Sequence, residues 1–393
     1  MKILIANVGS TSFKYKLYDD GIVRAHGRLE RIGDAVSPQQ HVIEGQVEET
    51  DASLPDYPTA VRSVLDKLTS TVLDSTNALD AVGFKTVHIK GEAGTLELSE
   101  DVLARMAEYN DLAPAHNPPY IEAIRIFRDI EPDLRLVGLF EPAFHTTIPD
   151  YAYIYGVPYS WYEDHGVRKY GFHGASHRYV SERIPQLVGT SADDLRIVSC
   201  HLGGSSSLCA IKNGESRDTT MGFSPQDGVI NATRNGSMDP FIIPHVMDKE
   251  GLSTNQIRDI LNTGSGLLGI SGVSGDMRDL QDAADSGNDR ARLAIDAYCY
   301  SVRREIGAMA TAIGGIDALA FTGGIGERSA RVRSLICEGL AHLGVALDDP
   351  LNEDGPDERE ITSPGSGARS FVVVADEEAI VARAVTEYLE TSA

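Results

Sequence analysis

The chain has 393 residues, which suits two domains of roughly 150 to 200 residues better than one core. Its apolar content is 42%, and no apolar run reaches the roughly 20 residues needed to cross a bilayer, so it reads as a globular protein with no membrane partner. A formal charge of −23 excludes a general nucleic-acid binder, which needs a basic face, and obliges any anionic substrate to seek a local positive site.

No charged segment, apolar core and cleavage site open the chain, so a cytoplasmic location is the expectation. Residues 3–6 form a short, β-branched apolar run that stops at Gly9, Ser10, Thr11 and Ser12. Phe13, Tyr15 and Leu17 then alternate with Lys14, Lys16 and Tyr18, which makes the opening a hairpin. Its tip suits a phosphate, because Gly9 permits close backbone approach, turn amides point at the anion and Lys14 adds charge. An ordinary polar turn is the other local reading. A third strand over 21–31 leads through an acidic, proline-containing connector to Tyr57. Val61, Val64, Leu65, Leu68 and Val72 recur at helical spacing. The next strand, 81–88, delivers Lys85 and His88. A helix over 100–108 precedes Leu112-Ala-Pro-Ala-His-Asn-Pro-Pro119, whose prolines start a helix through Ile121, Ile124 and Phe127. Strand 136–140 places Glu141 at its carboxyl end, where open α/β sheets bind ligands.

His173 and His177 flank turns just before a helix over 178–188 and lean towards a site. Residues 197–214 then repeat the opening: strand, polar residue, glycine, hydroxyls, strand and an Asn-Gly turn. Asn7 falls against His201, Gly9 against Gly203, and Thr11-Ser12 against Ser205-Ser206. A repeat at half-chain separation predicts two similar α/β domains, 1–190 and 191–393, with a shared cleft and with the closing helix free to pack back on the first. Arg234 falls on a loop, able to reach a phosphate or carboxylate or simply to be solvated. Ser253 caps a helix around Ile257 and Leu261 that Gly264 and Gly266 end. A long helix over 290–313 carries Leu293, Ala297, Tyr300, Ile306 and Met309 on or near its apolar side. A third glycine-rich segment, 317–327, reads as strand, turn and a helix through Val332, Leu335 and Leu340 whose start suits a nucleotide phosphate; no Gly-Lys-Ser/Thr follows, so it is not a P-loop. The last strand, 370–375, ends in Asp376-Glu-Glu378, either Mg²⁺ ligands or helix caps. Cys200, Cys209, Cys299 and Cys337 are scattered among apolar residues and read as reduced core side chains.

In this order, Asn7-Val-Gly-Ser-Thr-Ser-Phe-Lys14, the 112–119 segment, Ala143-Phe-His145, Gly171-Phe-His-Gly-Ala-Ser-His177, Cys200-His-Leu-Gly203, Thr233-Arg234, Gly323-Gly-Ile-Gly-Glu327 and Asp376-Glu-Glu378 resemble the acetate kinase family almost end to end. The resemblance implies an actin-like ATPase fold of two duplicated ribonuclease-H-like domains with an interdomain active-site cleft. It implies reversible transfer of the ATP γ-phosphoryl group to acetate, with Mg²⁺ or Mn²⁺ as cofactor, ATP/ADP as cosubstrate, and a homodimer. By position, Arg234 and His173 stabilise the transferring phosphoryl, while Asn7 and Glu377 organise the metal with Ser10, Ser12, Lys14 and His116 in support. The nucleotide lies against His201, Gly203, Gly204, Asp276, Met277, Arg278, Gly324, Gly326 and Arg328, and the acyl pocket maps onto Val87, Ala115, Phe172 and Pro225.

Six departures fall inside that site. Lys85 stands where the family has an arginine, Glu141 where it has a catalytic aspartate, and Gly204-Ser205 where it has Asn-Gly. Arg328 replaces an asparagine, Ile89-Lys90 a Gly-Gly, and Ala115 a leucine of the acyl pocket. They keep open a propionate or longer-chain carboxylate kinase and a non-catalytic nucleotide-binding paralogue beside the acetate kinase reading.

Overall fold

Each copy of the glycine turn closes an antiparallel hairpin that starts a sheet. In the computed structural model, which describes residues 1–9, 11–89, 92–110 and 117–392, the first hairpin is β1 (Lys2–Val8) with β2 (Phe13–Asp19). It continues into β3 (Ile22–Leu29), β4 (Ser37–Ile43) and β5 (Gln46–Ala52) on one side. On the other side lie β6 (Ala81–Thr86), β7 (Thr95–Glu97) and β8 (Leu136–Phe140), in the order β5-β4-β3-β2-β1-β6-β8-β7. The second hairpin, β9 (Arg196–His201) with β10 (Ser207–Lys212), joins β11 (Glu215–Thr219), β12 (Ala318–Thr322), β13 (Arg359–Glu360) and β14 (Arg369–Val372) in the order β11-β10-β9-β12-β14-β13. The runs β3-β2-β1-β6-β8 and β11-β10-β9-β12-β14 have the same order and sense: an antiparallel meander, then two parallel strands. The internal repeat seen in sequence is thus a repeat of sheet topology.

The chain divides into two compact units, Met1–Ala143 with Asp376–Ala393, and Phe144–Ala375. Residues 144–190, grouped with the first half by the sequence repeat, pack in the second unit because the helix Gly174–Val188 buries Val180 and Ile184 against Ile197, Ala318, Ala320 and Phe371. The closing helix Glu377–Thr391 belongs to the first unit, where Gly83 makes room for it: a Cβ there would stand 2.7 Å from Ile5 and 3.0 Å from Val385. The opposite face of that sheet is covered by the helices Tyr57–Thr69 and Asn117–Ile130. There Phe127 meets Phe13 and Phe84 edge-on, at 6.0 and 5.5 Å between ring centres. Apolar helices on both faces explain why 3–6 reads as a continuous rather than an alternating run.

Three sequence expectations change. The connector before Tyr57 is the hairpin β4–β5, which apolar periodicity misses because the inward side of β4 is polar: Ser37, Gln39 and His41 are buried, and His41 Nδ1 meets the Tyr15 hydroxyl at 2.7 Å. In the long helix Asp289–Ile313 the buried stripe is Ala291, Ala294, Ile295, Tyr298, Val302, Ile306 and Met309, while Leu293 and Tyr300, one position off that stripe, are exposed. The helix Ala330–Cys337 ends before Leu340, which follows Gly339 in its left-handed conformation (φ +82°). The four cysteines are buried and free, as their apolar surroundings suggest.

Candidate active site

In the first unit, β1, β6 and β8 run parallel, so their carboxyl ends share one sheet edge. That edge carries Asn7, Lys85 and, directly after β8, Glu141. The Lys85 ammonium lies 3.2 Å from Glu141 and 2.5 Å from Glu377, the first residue of the closing helix. Burial opposes its charge, but Glu377 and Glu141 together hold its pKa well above the ordinary lysine value. The Tyr120 hydroxyl donates to Asn7 Oδ1 at 3.3 Å, and burial pushes its own pKa up to about 12. Lys14, opposite Asn7 in the β1–β2 register, is exposed. Lys16, two residues on, takes the carboxylates on either side of Glu377: Asp376 at 3.1 Å and Glu378 at 2.9 Å. Gly9 fits the close turn expected of it, since a Cβ there would meet the Ser12 hydroxyl at 2.6 Å.

Asn7, Glu141 and Glu377 are hard oxygen donors, and no group of three or more His, Cys, Asp or Glu able to hold a metal occurs among the described residues. Two carboxylates and an amide oxygen fit Mg²⁺ or Mn²⁺, ions that complete their shells with phosphate oxygens and water rather than an all-protein cage.

In the second unit, four histidines each meet a serine hydroxyl, and two of them, His173 and His177, share one. His173 Nδ1 and His177 Nε2 both meet Ser207 Oγ at 2.8 Å, and His177 Nδ1 meets Ser199 Oγ at 2.9 Å. One hydroxyl can give a proton to only one of two rings, so Ser207 links the tautomer of His173 to that of His177. His201 Nδ1 meets Ser176 Oγ at 2.8 Å, and its ring stacks on His173 at 4.1 Å. His145 donates from Nε2 to the Phe172 carbonyl at 3.0 Å, which leaves Nδ1 to accept from Ser216 at 2.9 Å. Burial lowers the His145 pKa to about 4 and takes that of His177 well below the usual value, so both rings are neutral. Gly171 is required at φ +82°: a Cβ there would stand 2.5 Å from the His145 ring.

The hydroxyls of the second hairpin face protein partners. Ser205 meets the Arg234 guanidinium, Ser206 meets the Tyr298 hydroxyl at 3.0 Å, and Ser207 takes the two imidazoles. Ser205 is the one side-chain partner of Arg234 among the described residues, with no carboxylate beside it, and burial lowers the Arg234 pKa to about 10. A desolvated guanidinium held by a neutral hydroxyl is suited to an incoming anion.

A cavity of about 680 Å³ opens beside this cluster, within the size range of small-molecule sites. Of the residues mapped to the nucleotide, it is walled by Gly203, Gly204, Asp276, Met277, Arg278, Gly324 and Arg328. Sequence reasoning missed Ala232, Thr233, Gly275, Gln281, Ile325 and Ser329, which complete the wall. Asp276 caps the helix Met277–Asp285 and accepts from the Arg278 amide at 2.9 Å and from its guanidinium at 2.6 and 3.0 Å, which hold its carboxyl below the usual range. His201 and Gly326 lie outside this wall.

At the third glycine turn, three amides bond to the protein itself. Across the start of the helix Gly323–Arg328, the Gly323 amide donates to Glu327 Oε1 at 2.9 Å, and the Ile325 and Gly326 amides donate to the Leu202 carbonyl at 2.8 and 3.1 Å. The turn builds a cavity wall while the amides of Gly323, Ile325 and Gly326 serve the protein. Val87, of the first unit, and Phe172 and Pro225, of the second, are buried. Ser10, Ala115 and His116 lie outside the described residues, as does Lys90.

Comparison with known proteins places these clusters in context. Residues 2–383 match the acetokinase family. An acetate kinase of Thermoanaerobacterium thermosaccharolyticum is 42% identical over 399 residues, covering all of both chains. The crystal structure of a Porphyromonas gingivalis acetate kinase, 37% identical, superposes with a TM-score of 0.86 over 99% of each chain. A Francisella tularensis propionate kinase, 33% identical, gives 0.88 over 98% of each.

Proposed function

The chain belongs to the acetokinase family, and from that premise we propose that it transfers a phosphoryl group reversibly between ATP and acetate, giving ADP and acetyl phosphate. The observation that carries the reading is Arg234: a half-buried guanidinium with a serine partner and no carboxylate among the described residues. A carboxylate acceptor is already ionised at neutral pH, so the reaction needs no general base. What it needs is positioning and neutralisation of phosphoryl charge.

Arg234 and His173 meet the transferring group, and Ser207 fixes the His173 ring through Nδ1. The cavity walled by Gly203, Gly204, Asp276, Met277, Arg278, Gly324 and Arg328 takes the nucleoside, and His201 and Gly326, outside that wall, belong to the same nucleotide set. Lys85, Val87, Ala115, His116, Phe172 and Pro225 receive the acid. Asn7 and Glu377 would hold Mg²⁺, with Glu141 beside them and Ser10, Ser12 and Lys14 in support. When bound, that ion supplies charge neutralisation at the phosphate oxygens. Lys85 pairs with both Glu141 and Glu377. A cytoplasmic homodimer belongs to the same reading; the exposed Phe241, Ile242 and Ile260 are side chains a subunit contact would cover. No helix among the described residues is long and apolar enough to cross a membrane.

Hydroxylamine trapping with Mg²⁺, ATP and acetate, propionate or butyrate in parallel tests the proposal. Acetyl hydroxamate as the leading product supports it. Preference for propionate or butyrate would transfer the assignment to a longer acid, the direction in which the small Ala115 points. ATP binding with no hydroxamate from any acid would favour the non-catalytic alternative.

A further inference from the structure

Arg333, in the helix Ala330–Cys337, is the largest fully buried side chain in the described protein, 1% exposed. A buried guanidinium ordinarily needs a counter-charge. Among the described residues Arg333 has none. Its Nη1 donates to the carbonyls of Gly326 and Glu327 at 2.8 and 2.9 Å, its Nε to Asn352 Oδ1 at 2.7 Å, and its Nη2 to the Asn352 carbonyl at 2.6 Å. Asn352 is itself anchored, donating to the Ala330 carbonyl at 3.0 Å and to Ser334 Oγ at 2.9 Å.

The two carbonyls that Arg333 grips close the helix Gly323–Arg328, where unsatisfied carbonyls and the negative end of the helix dipole gather. A methionine could fill much the same volume without desolvating a charge, so packing alone does not require an arginine here. The gripped segment is the one whose Gly324, Ile325 and Arg328 wall the 680 Å³ cavity. From the front it is fixed by the Leu202 carbonyl; from behind, by Arg333.

We propose that Arg333 is a positioning residue for nucleotide binding: it fixes the Gly324, Ile325 and Arg328 wall by holding the carbonyls of Gly326 and Glu327. The inference rests on the reading of this cavity as the nucleoside subsite. Its effect falls on the donor substrate and spares the carboxylate.

The test compares R333M and R333K with the wild-type full chain in three measurements: ADP affinity by calorimetry, KM for ATP and for acetate, and thermal melting. R333M is expected to raise the ADP Kd and the KM for ATP about tenfold, with R333K intermediate at about threefold, as lost charge-assisted hydrogen bonds predict. The KM for acetate stays within about twofold, which general loosening of the fold would not spare. A folded R333M with ADP affinity and KM for ATP unchanged, or with both KM values rising together, overturns the proposal. If R333M does not fold, R333K decides, and wild-type ADP affinity there overturns it equally. A232F, which fills the cavity, separates the two readings. Undiminished ADP binding by A232F removes the subsite assignment; lost binding in A232F with none lost in the Arg333 variants removes only the role of Arg333.

Discussion

Replacing Lys85 with methionine tests the first unit's cluster most sharply, because it leaves two carboxylates facing each other without their shared cation. Glu141 is 5% exposed, Glu377 21% and Lys85 25%. Removing one partner of a fully buried pair costs about 3–5 kcal/mol, and an exposed pair is worth under about 1 kcal/mol. The partial exposure of Lys85 and Glu377 puts K85M between these limits, at about 2–3 kcal/mol near pH 8. The lysine pKa is raised in the folded protein, so the stability it contributes is fully present below its unfolded value of about 10.4 and is lost only as pH rises through the folded value. The wild-type contribution is therefore flat across neutral pH. In K85M one carboxyl can relieve the repulsion by taking up a proton, so the deficit should shrink as pH falls towards 5. Urea unfolding followed by circular dichroism at pH 5, 7 and 8 measures both effects. A deficit below about 0.5 kcal/mol at pH 8, or one that grows on acidification, would refute the assignment of Lys85 as the shared counter-ion.

S207A cuts the hydroxyl that joins His173 to His177 while leaving both rings in place. It should lower kcat about tenfold with KM values little changed, the loss of roughly one oriented hydrogen bond; an unchanged kcat in steady-state assays would mean that His173 is oriented by other contacts. His88 and His145 are held at pKa values of about 3 and about 4 by burial, below the unfolded value, so their stability contribution is present above about pH 6.5 and is lost as pH falls. Each should add up to about 1.4 kcal/mol per pH unit to the fall in unfolding free energy between pH 6.5 and 5, and H145Q should remove one such contribution from a urea series.

Much of the fold is legible in sequence where geometry imposes a residue type. Glycine marks both hairpin turns, apolar strands mark the parallel sheet edges, and Glu141 at the end of β8 reads directly as a carboxylate at a ligand-binding edge. The strand β4 stays hidden because its inward face is polar and hydrogen-bonded rather than apolar, and β5 because it is exposed along almost its whole length. The site is legible in its residues more than in its connections. Lys16 looks like any polar position on an alternating strand, since its partners, Asp376 and Glu378, lie at the far end of the chain. Arg333 resembles a solvated helix arginine until the backbone of Gly326 and Glu327 is brought against it. The hydroxyls of the second hairpin read correctly as a cluster, but their targets, Arg234, Tyr298 and two imidazoles, come from three other segments of the chain.

The central claim is transfer between a nucleotide and a carboxylate rather than to water, and ³¹P NMR of ADP, acetyl phosphate and Mg²⁺ with the purified chain tests it most directly. The acetyl phosphate resonance should fall as the γ-phosphate of ATP grows one for one, and R234L, still binding ADP, should abolish the exchange. Acetyl phosphate decaying to inorganic phosphate with no ATP formed, or an R234L variant that exchanges at the wild-type rate, would contradict it.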